Sequence, residues 1–442
     1  MNRYDKYKSV NLPWVNEIPK QWEIIRNKNV FVEKKKSVGS QFEKYKLLSL
    51  SLKGVIERNL EDGGKFPASF EKYTIVNPKD LVFCLFDIDE TPRTIGISKI
   101  EGMITSAYNI MEVKRDCAKY MYYFYLYLDF IKGLKPYYSG LRKTVNIDTF
   151  NSFIIPLPPI NEQEQIANYL DWKINEIDRL IQVEKEKTKE LEKLKEIKFN
   201  KIIDSSQKNK SIKIKFFANL YGRIGWQGLN SSEYGEEGVY LITGTDFYNG
   251  TIDFSKCVRV PKFRWEQNEK IQIQNGDLLI TKDGTVGKLA IVTNLFEKAT
   301  LNSGIMKIDF FRNDIVTKEY LFYILKSNIF KTWFIDLNAG FATIVHLYQK
   351  DFYNFSFKYP DMREQEKIVS KIKKLESVFN NEIEKIEESI KTLELLKQSL
   401  ISEVVTGKID VRNTVIPEYE KVTLLNDETE ELDEVEGEDD GD

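Results

Sequence analysis

Residues 162–168 read EQEQIAN, and residues 364–370 read EQEKIVS. The offset is 202 residues, and at that same offset ELEKLK (190–195) lies over TLELLK (392–397). Each EQE start runs into a long amphipathic segment. A period this long is far above the roughly 20–50 residues of a solenoid repeat. It indicates a duplicated two-part unit, and so a function that needs two of something.

The first segment follows Pro156, Pro158 and Pro159, which end any regular structure before it. It holds no Gly or Pro, and Ile166, Leu170, Ile174, Ile177, Ile181, Leu191 and Leu194 recur mostly at spacings of three and four. Asn161 is the expected N-cap, with Glu162 and Glu164 at the positive end of the helix. Pro360 precedes the second segment and Asp361 is its expected cap. Its stripe is Ile368, Ile372, Leu375, Phe379, Ile383, Ile386, Ile390, Leu393, Leu396, Leu400 and Val404, with a Gly terminator at Gly407. A long helix with one narrow apolar stripe needs a partner. The economical solution is that the two pack on each other as a rod; about 40 residues at ~1.5 Å each give roughly 60 Å.

The stretches between the helices are mixed. KYKLLSLSL (44–52), DLVFCLF (80–86), VYLITG (239–244), DLLIT (277–281) and KLAIV (288–292) read as strands. The mixed blocks also match each other in order. NPKDLVFC (77–84) aligns with QNGDLLIT (274–281), AYNIMEV (107–113) with NSGIMKI (302–308), YYFYLY (122–127) with LFYILK (321–326), and SGLRKTVNI (139–147) with AGFATIVHL (339–347). The expected architecture is α+β: two globular α/β domains joined by two long antiparallel helices in a pseudo-two-fold repeat. The expected boundaries are 1–160 and 206–360 for the domains, 161–205 and 361–408 for the helices, and 409–442 for an acidic, disordered tail.

Composition narrows the function. The net charge of −3 is set by the C-terminus, because from Val411 onward there are 13 acidic and 2 basic residues. The rest carries 63 basic against 55 acidic residues, a mildly basic body that suits a polyanionic partner. Cys84, Cys117 and Cys257 are scattered and odd in number, which argues against a disulfide framework and a structural zinc site. No apolar signal region opens the chain, and the aromatic run YMYYFYLYLDFI (120–131) is too short to span a bilayer. The expectation is a cytoplasmic protein. His346 is the only histidine, which excludes multi-histidine metal chemistry. DGTVGKLA (283–290) lacks the spacing of a phosphate loop and reads as a hairpin turn. The Asn/Asp/Ser-Pro-Pro-Tyr/Phe signature of amino-methyltransferases is absent, as are GxGxxG and GxSxG. No enzyme active site is expected.

The LPP-x-x-EQEQIA start of the first helix, the YPDMREQEKIV start of the second and ISEVVTGKID at its end carry a resemblance. WVNEIPKQWEI (14–24) and GRIGWQGL (222–229), ahead of the two blocks, support it. In this order the chain resembles the specificity (S) subunit of Type I restriction–modification systems, over nearly its whole length apart from the tail. The resemblance implies two target-recognition domains, each reading one half of a split duplex DNA site, with the helices as a ruler. Roughly 60 Å is a little under two turns of B-DNA at ~34 Å per turn. It further implies two methyltransferase (M) subunits and restriction (R) subunits as partners. S-adenosylmethionine, ATP, Mg, adenine methylation and cleavage would belong to those chains, with no cofactor, metal or catalysis here. A coiled-coil scaffold without a DNA role is the alternative; it accounts for the helices but not for the duplicated blocks.

Phosphate contacts position a reader and base contacts specify. The candidate DNA-binding residues are Arg93, Lys135, Tyr138, Arg142 and Lys143 in the first block, and Arg223, Trp226, Gln227, Lys282, Lys288 and Thr343 in the second. Glu162, Gln163, Glu364 and Gln365 are the candidate helix-start and subunit-contact residues.

Overall fold

A computed structural model describes residues 2–58, 69–140, 143–205, 210–223, 229, 231–338 and 346–422. The chain divides into two compact units, one made of 1–186 and 386–442 and the other of 187–385.

The first unit is centred on a four-stranded antiparallel sheet. Its strands, in spatial order, are Phe31–Lys34, Asn109–Val113, Leu81–Phe83 and Ile95–Ile97. The aromatic run forms the helix Ala118–Phe130. It is apolar over most of its circumference and is correspondingly buried, with Tyr120, Met121, Phe124, Tyr125 and Leu128 all at 1% exposure or less. Phe31, Phe83, Tyr125 and Phe150 meet with ring centroids 5.0–6.0 Å apart, which locks sheet to helix.

The second unit repeats this plan. Its sheet runs Ala218–Gly222, Ile305–Phe310, Leu278–Thr281 and Leu289–Ile291, again antiparallel throughout. Helix Lys318–Lys326 takes the place of Ala118–Phe130. Strand Ser211–Lys213 pairs with Ser356–Lys358, as Glu23–Arg26 pairs with Ile154–Leu157. The match reaches single turns. Asp80 accepts from Asn77 N at 2.8 Å, and Asp277 from Gln274 N at 2.9 Å. The third residue of each turn has positive φ, Lys79 at +75° and Gly276 at +86°. Each aspartate then takes a lysine at 2.8 Å, Lys34 from the edge strand two places away and Lys307 from the adjacent strand. The units diverge beyond the central sheet. The first has separate hairpin-like pairs such as Leu48–Ser51 with Gly54–Glu57. The second has another four-stranded sheet, in which Val239–Ile242 runs parallel to Ala299–Leu301.

The amphipathic segments are continuous helices, Ile160–Ser205 and Met362–Val405. In the first unit Ile177 and Ile181 share a core with Leu400, Ile401 and Val404, and Lys397 bonds Asp178 at 2.7 Å. In the second unit Lys195 bonds Asn380 at 2.6 Å, and Lys198 lies over the Phe379 ring. N-terminal half meets C-terminal half in both, so the helices run antiparallel. Leu194 and Leu396, assigned to the stripes by spacing, are exposed instead, at 41% and 52%. Near these points charged and amide groups make the cross-helix bonds, and the stripe is interrupted.

The helix ends follow the backbone's unsatisfied groups. Asp361 caps the second helix, accepting from Glu364 N at 3.0 Å. Asn161 is not the cap of the first, which starts one residue earlier; Pro159 O takes the amides of Glu162 and Gln163. Gly407, at φ +74°, closes the second helix in a Schellman arrangement, with Lys408 N on Glu403 O and Gly407 N on Val404 O. A Cβ there would lie 2.4 Å from Pro19 Cδ and 3.1 Å from Trp22 Cη2.

The residues after this turn correct the expected disordered tail, for 409–422. Val411 is 1% exposed, Gln165 donates to the carbonyls of Val411 and Thr414, and Asn175 pairs with Glu420 O and Val422 N. Side-chain amides at two points on the helix hold this segment, which turns at Val411–Thr414. Residues 423–442 lie outside the described ones.

Candidate nucleic-acid interface

The duplicated EQE starts fix each unit's helix to its sheet. Gln163 Oε1 accepts from Cys117 N at 3.0 Å, while Nε2 donates to Asp116 Oδ1 and Pro158 O, both at 2.9 Å. Gln365 Oε1 accepts from Thr317 N at 2.9 Å, while Nε2 donates to Ile315 O at 2.8 Å and Pro360 O at 3.0 Å. Cys117 and Thr317 are the residues that precede the equivalent helices Ala118–Phe130 and Lys318–Lys326. Both glutamines are buried, so these amides are spent inside their own units. Glu162 is buried too; its Oε1 accepts from Tyr4 OH at 2.6 Å and Trp22 Nε1 at 2.7 Å. Glu364 is half-buried, and its carboxylate lies 3.5 Å from Lys367.

The fold brings three of the first block's candidates together. Ser139 and Thr144 close a tight turn by reciprocal backbone bonds, with Gly140 at φ +75° and Lys143 at +45°. Lys143 is a non-glycine residue in the left-handed region, a conformation that concentrates at functional loops. The turn faces the loop that leaves strand Leu81–Phe83. There Asp89 accepts from Tyr138 OH at 2.9 Å and lies 3.5 Å from both Lys135 and Lys143; Lys143 also reaches Glu90 at 3.0 Å. The Tyr138 hydroxyl bond, then the two lysines, hold the Asp89 carboxyl below its usual range. The Lys143 ammonium is raised, first by its bond to Glu90. Arg142 lies outside the described residues. Arg93 sits apart from the turn: Nη2 donates to Leu52 O at 3.0 Å, Nη1 lies 3.8 Å from Asp129, and the guanidinium lies over Phe130.

In the second block, Leu278–Thr281 and Leu289–Ile291 form the expected hairpin, with Gly284 at φ +68° and Gly287 at +90° making its turn. Lys288 Nζ donates to Gly244 O at 3.1 Å, and Lys282 Nζ lies 3.8 Å from Asp283. His346 Nδ1 meets Asp283 Oδ1 at 2.6 Å, a partly exposed loop contact. Arg223 is 4% exposed, with Nε on Leu301 O at 2.9 Å and Nη2 on Thr300 Oγ1 at 3.1 Å. Burial, then Arg264, pulls its pKa down. Trp226, Gln227 and Thr343 lie outside the described residues.

Other basic side chains here lie over aromatic rings. Arg259 stacks on Tyr240 at 4.0 Å while forking to Glu297, and Lys298 lies 4.2 Å from the Trp265 ring centroid. Their partners lie about 20–40 residues away in the chain, so no local motif marks them.

Among the described residues no group of three or more His, Cys, Asp or Glu side chains is placed to hold a metal ion. Burial pushes the Cys84 thiol up to about 11. No described helix is long and apolar enough to cross a membrane.

The family model for the type I restriction modification DNA specificity domain matches the chain twice in succession, over residues 19–193 and 184–392. Each match takes in one sheet unit and the adjoining helix. The type I restriction enzyme MjaVIII specificity subunit of Methanocaldococcus jannaschii is 25% identical over 423 residues, spanning 90% of this chain and 95% of that protein. The EcoBI specificity subunit of Escherichia coli is 20% identical over 68% of each. Among solved structures, a chain from work on complex assembly and conformational transition of the type I R-M system shares the fold. Its TM-score is 0.63 at 14% identity, over 89% of this chain and 99% of that one. With two tandem matches covering most of its length, the chain belongs to the type I restriction–modification DNA specificity family, whose members recognise DNA and carry no catalysis of their own.

Proposed function

We propose that this chain reads a split duplex site, one half with each unit, and that the paired helices set the gap between the halves. The carrying observation is the duplication itself. The central sheet, the NPKD/QNGD turns and the glutamine anchors repeat, while the loops that leave the equivalent strands Leu81–Phe83 and Leu278–Thr281 differ in sequence and partners: Asp89 accepts from Tyr138, whereas Lys288 donates to Gly244 O. Two readers with one framework and unlike loops suit two unlike half-sites. Lys135, Tyr138, Arg142, Lys143, Lys282 and Lys288 are the leading contacts. Arg93 and Arg223 are retained as positioning groups behind the loops, with Trp226, Gln227 and Thr343 as further contacts.

The same reading has the helices dock two methyltransferase subunits and, through them, restriction subunits. Its support is a set of exposed apolar side chains on the helices of each unit. Leu180, Val183, Leu395 and Leu396 are 52–57% exposed on the helices that carry the Asp178–Lys397 bond, and Leu194, Ile197 and Val378 are 41–64% exposed near Lys195–Asn380. Exposed apolar groups of this kind on charged helices mark partner surfaces. S-adenosylmethionine, ATP and Mg then act on the partner chains.

The test is duplex binding by the full chain with its co-purifying partners. Affinity is expected to fall about 10³-fold or more between 50 and 200 mM salt if six or more phosphates are neutralised, and a methyltransferase is expected in the purified complex. Salt-independent binding, or a chain that purifies without such a partner, contradicts the proposal.

A further inference from the structure

Three of the groups assigned to DNA in the first unit, Lys135, Tyr138 and Lys143, are held by two carboxylates, Asp89 and Glu90. This is an unusual place for acids on a polyanion-binding loop. Asp89 is well covered, with 19% of its side chain exposed, whereas Glu90 stands at 72%. The second unit also places an aspartate beside the returning loop, with a histidine as its partner. Val145 N donates to Leu85 O at 2.8 Å, and Leu347 N donates to Lys282 O at 3.0 Å. These equivalent bonds join the returning loop to the end of an equivalent strand. Beside the second bond, Asp283 takes His346, as Asp89 takes the lysines beside the first.

We propose that Asp89 and Glu90 form an electrostatic gate on the first reading loop, occupying its cations until a duplex displaces them. The inference rests on the reading of this loop as a DNA contact. The physical reason is counterion exchange. Each phosphate neutralised by a lysine releases cations from the duplex. A carboxylate that loses its lysine takes a cation back from solution and offsets that release. Binding to random sequence consists almost wholly of the phosphate contribution, so the gate weighs most heavily there. Binding to the correct half-site adds base contacts, which the gate leaves intact. The carboxylates therefore lower affinity for random duplex, where the phosphate contribution is nearly all of the binding.

The experiment measures the salt dependence of binding to a random-sequence duplex, using the full chain with its co-purifying partners. Asp89→Asn keeps an acceptor for Tyr138, and Glu90→Gln alters a solvated side chain, so one variant tests the gate should the other perturb the loop. The slope of log affinity against log salt is expected to steepen by about 1 for each carboxylate removed. The double variant is expected to bind random duplex about three- to tenfold more tightly near 0.1 M salt, the lower end if screening is strong. Glu112→Gln is the control. Glu112 also faces a lysine, Lys34, but lies beyond Met111, which pairs with Leu81 at the opposite end of the strand from the gate. Its slope is expected to stay unchanged. Lys135→Ala with Lys143→Ala separates the two levels. If the lysine variant flattens the slope and the acid variants leave it unchanged, the gate is overturned and the loop remains a DNA contact. If the lysine variant leaves the slope unchanged, the loop does not meet DNA, and both readings fall.

Discussion

Replacing Glu162 by Ala is expected to destabilise the first unit by about 3 kcal/mol. The carboxylate is 6% exposed and accepts from two buried donors, Tyr4 OH and Trp22 Nε1. Removing the acceptor leaves both donors without it, at about 1–3 kcal/mol for each unsatisfied buried group. Burial, and then the bond to Glu162, raises the Tyr4 hydroxyl pKa, so Tyr4 stays a donor at neutral pH. The site ties the N-terminal segment, the first turn of helix Ile160–Ser205 and the end of the second helix, since Tyr7 OH also reaches Gly407 O at 3.0 Å. For a unit of this size the loss corresponds to roughly 6–12 °C in melting temperature, at about 2–4 °C per kcal/mol. Thermal denaturation followed by circular dichroism measures it. Glu162→Gln keeps the oxygen and is expected to recover most of the loss; an alanine variant that melts with the wild type would show that the two donors do not depend on this carboxylate.

The largest functional change is expected from lengthening both helices. Seven residues added after Glu186 and seven after Lys385, where both helices pass from one unit to the other, preserve the apolar stripe to about 20°. They add about 10 Å of helix, or roughly three base pairs at ~3.4 Å each. If the helices set the gap, the variant protects a site whose halves are unchanged and whose unspecified centre is about three base pairs longer. It loses most of its affinity for the original spacing. Altered half-sites, or an unchanged gap, would remove the ruler from the account.

What was legible in the sequence was what local spacing encodes. Stripes at three and four residues gave continuous helices, the NPKD/QNGD correspondence gave matching turns, and Gly407 stopped the second helix as its position implied. What was illegible depended on partners far along the chain. A polar run such as EQE carries no burial signal, yet Gln163 and Gln365 are 1% and 0% exposed, because the amides and carbonyls they satisfy arrive from residues about 50 positions away, as well as from the adjacent prolines. Lys135 and Lys143 were legible as basic, but their pairing with Asp89 joins loops about 50 residues apart. Arg223 was legible as a cation; that its guanidinium is enclosed by Leu301 and Thr300 was not. The acidic composition after Val411 masked an apolar start, Ile409 and Val411, that Gln165 and Asn175 hold against a helix.

The central claim is that one chain reads two separated half-sites. The direct measurement is the adenine methylation pattern of the host genome with and without this gene. The account predicts that its removal abolishes methylation at one motif, made of two short specified halves separated by unspecified bases. Loss of an uninterrupted motif, or of none, would contradict it.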